Sequence, residues 1–387
     1  MSADFGDLEQ RDARRGEPTI KGNRWWPSEP ERLVQVLEAG GVMTSAERAA
    51  AERELEARRR RQLSPPVIRR EDVVFEASSL KGLHIGTIIG PHLGIDVRNI
   101  GLEIHRLLPG AHTEARLGNE VVYHVLNGRG HSIVDGKRYD WGPHDSLHVP
   151  MGWWQQHFND DPNKPAHLLA GLPAPLLEHI SPYADVYKGD SFSDVPDTFQ
   201  PEHPFTKARV AVGYVGGEKW MSHLQMAVHE RRRTREAVRR EARVLLKASE
   251  ATIERSEHRG DWKVGLVDYY LGFDNRILGM YVHQMPPDSH TETHKHGEAI
   301  VYVLSGSGYS IVEGERFEWR AGDCIFVKPG QWHQHFNTDP ERVSQHIAMY
   351  VQPLREHVYE GAEVVEFQVE EDYEPAADSG PPEAWWE

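Results

Sequence analysis

The sequence contains one cysteine, Cys324, in 387 residues. An internal disulfide is therefore impossible, and so is a thiolate-rich metal site. Long apolar runs are missing as well. Segments such as Ala299 to Leu304 are far too short to cross a bilayer, and the opening MSADFGDLEQRDARRG lacks the apolar core of a secretory signal. The expectation is a cytoplasmic protein with no membrane partner. Basic charge is in deficit: 44 Lys plus Arg stand against 60 Asp plus Glu, a formal net charge of −16. A phosphate backbone would be repelled, so no nucleic acid is expected. Histidine, in contrast, is plentiful at 23 residues. Any metal must be held through nitrogen or oxygen.

A chain of this length can bury two ordinary cores. The first thirty or so residues are polar, with RWWPSEPE marking an entry turn. Pro30 to Gln62 reads as two helices broken at Gly40-Gly41, with Ser45 as an N-cap, and the RRRR run from Arg58 reads as a solvated helix end. The segment from His229 to Gly260 is rich in Arg and Glu and reads as a charged connecting helix on a surface or subunit interface. Past Gly361 the tail is acidic with Pro and Gly, and is expected to be extended, with its terminal tryptophans docking on a neighbour.

The middle of the chain is written twice. His105 matches His283, His112 matches His290 and Asn159 matches Asn337, each at an offset of 178 residues (283 minus 105, 290 minus 112, 337 minus 159). No gap is needed from LGIDVR and LGFDNR through to HFNDDP and HFNTDP. A repeat of this length means two domains of one fold rather than a short-period solenoid. Within each copy, β-branched and aromatic runs alternate with glycine turns, as in VYHVLNGRGHSIVDGKRYDW and VYVLSGSGYSIVEGERFEW. Such strands with no helix between them predict a small antiparallel barrel. The expected division is an N-terminal helical arm (1–70), a first barrel (71–186), a linker with the charged helix (187–258), a second barrel (259–363) and an acidic tail (364–387).

In the second copy three features line up: His294 and His296 in HKH, the glycine turn at Gly306, and GDCIFVKPGQWHQHFN from Gly322 to Asn337. This pattern resembles the cupin superfamily, which supplies His-x-His before a strand ending in glycine, and a second motif of Gly, Pro, Gly, His and Asn. Those last positions are Gly322, Pro329, Gly330, His333 and Asn337. The resemblance implies an all-β fold of two tandem cupin domains, antiparallel and jelly-roll-like, with His294, His296 and His333 as metal ligands. Strand geometry agrees, since residues i and i+2 face the same way and can meet a histidine from a facing strand. Three imidazoles on one face leave other positions open, which suits catalysis better than a closed structural site.

The first copy serves as an internal control. It carries Arg116, Gly118 and Gln155 at the three ligand positions, so only the second barrel is expected to bind metal. Glu298, His290 and His335 recur as Glu120, His112 and His157, and so read as structural residues or neighbours of the ligands. Asp274 and Arg276 recur as Asp96 and Arg98, an ion pair or turn contact. Trp319 and Trp332, matching Trp141 and Trp154, read as core aromatics. Many cupins add a glutamate ligand seven residues before the strand-end glycine. Here that position is Ala299, and Glu298 would need a bulge to point inward. A three-histidine site is expected, with Glu298 as the alternative fourth ligand.

Within the superfamily the two cupins, the alanine and the WHQH motif resemble the gentisate and salicylate 1,2-dioxygenase group. That resemblance implies Fe(II) on His294, His296 and His333, a small hydroxylated aromatic acid cleaved with O2, and a homo-oligomer. His283 falls where the group places a substrate-contacting glutamine. His335 or His283 is the expected proton shuttle, because imidazole titrates near neutral pH. Two features depart from the group. The metal site lies in the second copy rather than the first, and Val301 stands where the group has an arginine, so the substrate carboxylate must be recognised elsewhere. The same donors accept Mn, Ni, Cu or Zn. A redox-neutral lyase, decarboxylase or isomerase is one alternative, and a non-catalytic binding bicupin is another.

Overall fold

Short strands punctuated by glycine turns build most of the regular structure in the computed structural model. The structure describes residues 36–37, 40–63, 66–180, 188–194, 241–256, 261–351, 353–354, 365–367 and 385–386. The entry turn at RWWPSEPE, the side chains of the Arg58 run, the part of the charged segment from 229 to 240 and most of the acidic tail lie outside them. Among the described residues, no helix is long and apolar enough to cross a membrane.

The chain forms two units, which meet at Ser64 and Pro65 in sequence. In the first, the helix Ser45–Leu63 is capped by Thr44 rather than by Ser45. The Glu47 amide donates to Thr44 Oγ1 at 3.2 Å, and the Thr44 amide donates to Glu47 Oε2 at 2.8 Å. This reciprocal box satisfies two N–H groups that the first turn would leave bare, and it moves the cap one residue upstream of the expected position. Ala51 is buried against Leu37, Met43 and Leu55.

The second unit contains both barrels. Each is a seven-stranded sheet facing a smaller one. In the first barrel the strands Val121–Asn127, Ala166–Leu172, Gly101–Leu107 and Leu83–Ile89 lie side by side, all antiparallel. Their counterparts in the second barrel are Ala299–Ser305, Ser344–Tyr350, Gly279–Met285 and Asp261–Val267. The repeat holds at the level of pairing: Ile85 faces His105 and Lys263 faces His283, so the 178-residue offset extends into strands upstream of the motifs. The turns that close the central strands place Gly128 and Gly306 at φ of 90° and 88°, in the left-handed region where a side chain would be strained.

These central strands are buried on both faces. Val121, Tyr123 and Val125 fill the first barrel, and Val301, Val303 and Ala348 fill the second. The intervening residues, including Leu102, Val122, Leu169, Met280, Val282, Ile300 and Ile347, form one apolar cluster between the barrels. That double burial explains why VVYHVL and AIVYVL read as near-continuous apolar runs instead of clean alternations.

The barrels also exchange edges. Val67–Ile68 precedes the first barrel yet pairs with Cys324–Val327 of the second, and Leu245–Leu246 precedes the second yet pairs with Ser146–Val149 of the first. An aspartate fastens each strap. Asp323 accepts from Arg69 Nη1 at 2.9 Å and the Arg70 amide at 3.0 Å, and Asp145 accepts from Lys247 Nζ and the Ala248 amide, both at 2.9 Å. Where the segment is expected to continue as a charged helix to Gly260, its described residues from Leu245 instead form strands at Leu245–Leu246 and Ile253–Ser256, with a single 3-10 turn at Ala248–Glu250 between them. Pairing along two sheet edges overrides its helical composition.

The tail tryptophan docks within its own chain. Trp385 is 1% exposed and sits in the cluster between the barrels; its indole N–H donates to the Ala248 carbonyl at 3.1 Å, and its carbonyl accepts from the Gln284 and Gln345 amides.

Candidate metal centre

The short strand His294–His296 puts its two histidines on one face, and His294 is the direct pairing partner of His333, the first residue of His333–Asn337. The ring centroids of His294 and His333 lie 4.2 Å apart, those of His296 and His333 4.6 Å, and those of His294 and His296 5.5 Å. One ring nitrogen from each comes within 4.8 Å of the other two. His294 and His333 are buried, and His296 is partly exposed.

Backbone carbonyls orient all three rings. His294 Nδ1 bonds the Glu292 carbonyl at 2.7 Å, His296 Nδ1 the Gly297 carbonyl at 2.7 Å, and His333 Nδ1 the Gln331 carbonyl at 2.9 Å. A carbonyl only accepts, so each Nδ1 carries the proton and each lone pair sits on Nε2. Neutral imidazoles fixed in this way are the donor set a divalent transition metal takes. The residues present fit such an ion.

Glu298 is placed elsewhere. Its Oε1 accepts the amides of Asn99 and Ile100 at 2.8 and 2.9 Å, and its Oε2 accepts the Arg98 amide at 2.9 Å. Both oxygens are committed to the first barrel, which leaves the histidines as a triad without a carboxylate.

The interior beside the triad is rich in imidazole. His335 Nδ1 lies 2.7 Å from Ser310 Oγ, which also accepts the Trp319 indole N–H at 3.0 Å, and its ring is 5.3 Å from that of His333. His283 lies 6.4 Å from His335 and 5.8 Å from His346. Burial, followed by the charge of His283, pushes His346 well below the usual imidazole range. His290 sits apart, with Nδ1 on the Thr291 carbonyl at 3.0 Å and its ring stacked on Phe336. Arg276 pairs with Asp274 at 3.1 Å. Trp319 is a core residue, but Trp332 is only partly buried and lies under the Lys295 ammonium, 4.6 Å from its ring.

His296 also borders a cavity of about 480 Å³ shared with Lys263, Asp268, Tyr281, Ala299 and Tyr350. Lys263 Nζ is 5.0 Å from the centre of the Tyr281 ring, and the Tyr350 hydroxyl donates to Asp268 at 2.8 Å. Lys263 and His346 were not singled out from the sequence. The same internal control marks both, since the first copy has Ile85 and Leu168 at their positions, but the inward strand face had to be known. A larger cleft of about 1,050 Å³ lies between the barrels and touches none of the triad.

The first barrel fills the equivalent space differently. Gln155 replaces His333, and its side-chain oxygen accepts from Tyr123 at 3.4 Å and lies 3.1 Å from His157 Nε2. Burial, with Arg116 and His105 adding to it, pushes His157 down to about 3. On the outer surface His131, Asp140 and Asp160 also bring donor atoms within 4.8 Å of one another. Arg138 lies 2.7 Å from Asp140 and 3.7 Å from Asp160, and already supplies the positive charge there.

Residues 281–347 match the family model described as the cupin domain. The second barrel is a cupin domain. The chain is 27% identical over 238 residues to a 5-aminosalicylate 1,2-dioxygenase of Comamonas sp, a match covering 60% of this chain and 59% of that relative. Among solved structures, a salicylate 1,2-dioxygenase of Pseudoaminobacter salicylatoxidans with gentisate superposes with a TM-score of 0.54 at 13% identity, covering 96% of each chain. An oxalate decarboxylase of Bacillus subtilis superposes with a TM-score of 0.51 at 15% identity, covering 79% of this chain and 80% of that one. At these identities the structural likeness shows the fold alone, that of a bicupin.

Proposed function

We propose that this bicupin is a ferrous-iron-dependent dioxygenase that opens the ring of a hydroxylated aromatic acid, gentisate- or salicylate-like, with O2. The observation that carries this reading is the carboxylate-free histidine triad, each ring fixed through Nδ1, with His296 bordering a cavity large enough for one aromatic ring. The curated relative, a 5-aminosalicylate 1,2-dioxygenase, supports the same class of reaction.

His294, His296 and His333 would hold the iron through Nε2. When bound, ferrous iron supplies the one-electron chemistry that allows O2 to react with an aromatic ring. The chain's own residues do the rest. Val301, Val303, Ala348 and Met285 keep the barrel interior apolar and exclude water. His335 is the proton-moving group: Ser310 occupies its Nδ1, and Trp319 fixes Ser310, so the exchanging atom is Nε2. His283 backs His335 from the facing sheet, their ring centroids 6.4 Å apart.

The test is metal analysis of anaerobically purified protein together with an oxygen-electrode trace over a panel of hydroxybenzoates and aminohydroxybenzoates. Iron near one per chain, with oxygen uptake abolished in His296→Ala, is the expected result. Turnover of an acid substrate with no oxygen consumed would overturn the reading in favour of a redox-neutral lyase.

A further inference from the structure

We propose that Lys263 receives the carboxylate of the aromatic substrate and thereby sets which acids the second barrel accepts; this rests on the ring-cleavage reading above. An aromatic acid entering the cavity brings a negative charge, and Val301 offers it nothing. Asp268, Glu254 and Glu298 border the same space, and negative charge there repels an anion. Lys263 is the one ammonium or guanidinium group lining the cavity among the described residues.

Its placement fits the task. Lys263 is paired directly with His283, so its side chain leaves the sheet on the face that carries His283 towards the triad. Its head lies 5.0 Å from the Tyr281 ring centre, an attractive position for a partly desolvated cation. Its cross-strand neighbour Glu254 also borders the cavity but is exposed, and no ion pair with Lys263 forms among the described residues. The ammonium is thus held by an aromatic face and keeps its hydrogen-bond donors for an incoming carboxylate. With the carboxylate at Lys263, the ring occupies the same cavity that His296 borders.

The duplicated barrel gives an independent comparison. In the first copy the position of Lys263 is Ile85, on the equivalent strand and facing the equivalent histidine, His105. The cation and the triad are present together in one barrel and absent together from the other. A lysine serving only strand stability would have no reason to follow the triad, because both strands make the same pairings.

The experiment is calorimetric titration of the full-length protein loaded with Zn(II), which takes the same donors without redox turnover. The ligands are 2-hydroxybenzoate and its uncharged amide, 2-hydroxybenzamide, and the proteins are wild type, Lys263→Met and Lys263→Arg. The expected result is an acid-over-amide preference of about tenfold or more in the wild type, lost in Lys263→Met through weaker acid binding, with the amide unchanged and Lys263→Arg restoring the preference. An acid preference that persists in Lys263→Met, or is missing from the wild type although both ligands bind, overturns the assignment while leaving ring cleavage standing. Failure of the wild type to bind either ligand overturns the ring-cleavage reading and the assignment with it.

Discussion

Glu120 and Glu298 clasp the two barrels reciprocally. Glu298 of the second barrel accepts the amides of Arg98, Asn99 and Ile100 in the first, and Glu120 of the first accepts those of Arg276, Ile277 and Leu278 in the second, at 2.8 to 3.0 Å. Burial pushes both carboxyls above their usual range, against amide bonds that favour the charged form. The recurrence of this glutamate in the copy without a triad is thereby explained: it belongs to the joint between barrels.

Replacing Glu298 with alanine leaves three backbone N–H groups without their acceptor. A destabilisation of about 3 kcal/mol or more is expected, read from urea unfolding, with a similar loss for Glu120→Ala. Metal content per folded chain should stay at the wild-type value in both variants. Loss of metal from folded Glu298→Ala alone would restore Glu298 as a ligand.

His296 is the least buried of the triad, so its removal disturbs packing least. Metal affinity in His296→Ala should fall by more than the roughly 100-fold that changes around a metal's ligands reach, with the unfolding midpoint of the metal-free protein nearly unchanged. Competition with a chelator of known affinity measures the first quantity. An affinity equal to wild type would remove His296 from the donor set.

Stability should decline in acid for a reason located mainly in the first barrel. Burial pushes both His124 and His157 down to about 3, against an unfolded value near 6.5. Each therefore contributes stability that is fully present above about pH 6.5 and is lost as pH falls towards 3, at ~1.4 kcal/mol per pH unit between. Urea midpoints at pH 7.5 and 5.5 should differ less for His157→Gln than for wild type. An unchanged difference would mean that His157 is not held neutral by burial.

Trp385 fills the seam between the barrels and is hydrogen-bonded at both its indole and its carbonyl. Trp385→Ala should cost about 3–5 kcal/mol, measured by equilibrium unfolding. A neutral result would show that the seam closes without it.

Much of this was legible in the sequence because the chain repeats itself. The offset that aligns His105 with His283 fixed the two barrels, and the loss of Arg116, Gly118 and Gln155 from the ligand pattern pointed to His294, His296 and His333. The illegible parts depend on contacts far apart in sequence. Glu298 reads in the sequence as a structural residue or neighbour of the ligands, with a fourth ligand as the alternative, but the joint it makes is invisible there because its donors lie some 200 residues away, at Arg98 to Ile100. The residues from Leu245 read as helical in the sequence because their pairing with the first barrel carries no local mark. Trp332 shares a position with the buried Trp154 yet meets Lys295 in a partly open setting. Thr44 and Ser45 are both good caps, and only the bond to Glu47 decides between them.

The exchanged straps make the pair of barrels indivisible. A chain cut between them would strip Cys324–Val327 and Ser146–Val149 of their outer partners, and would take Arg69 from Asp323 and Lys247 from Asp145. Neither fragment would inherit a finished edge. The first barrel is consequently kept by mechanics: each barrel's sheet ends on a strand that precedes the other in the chain, and the two must form and melt as one cooperative body.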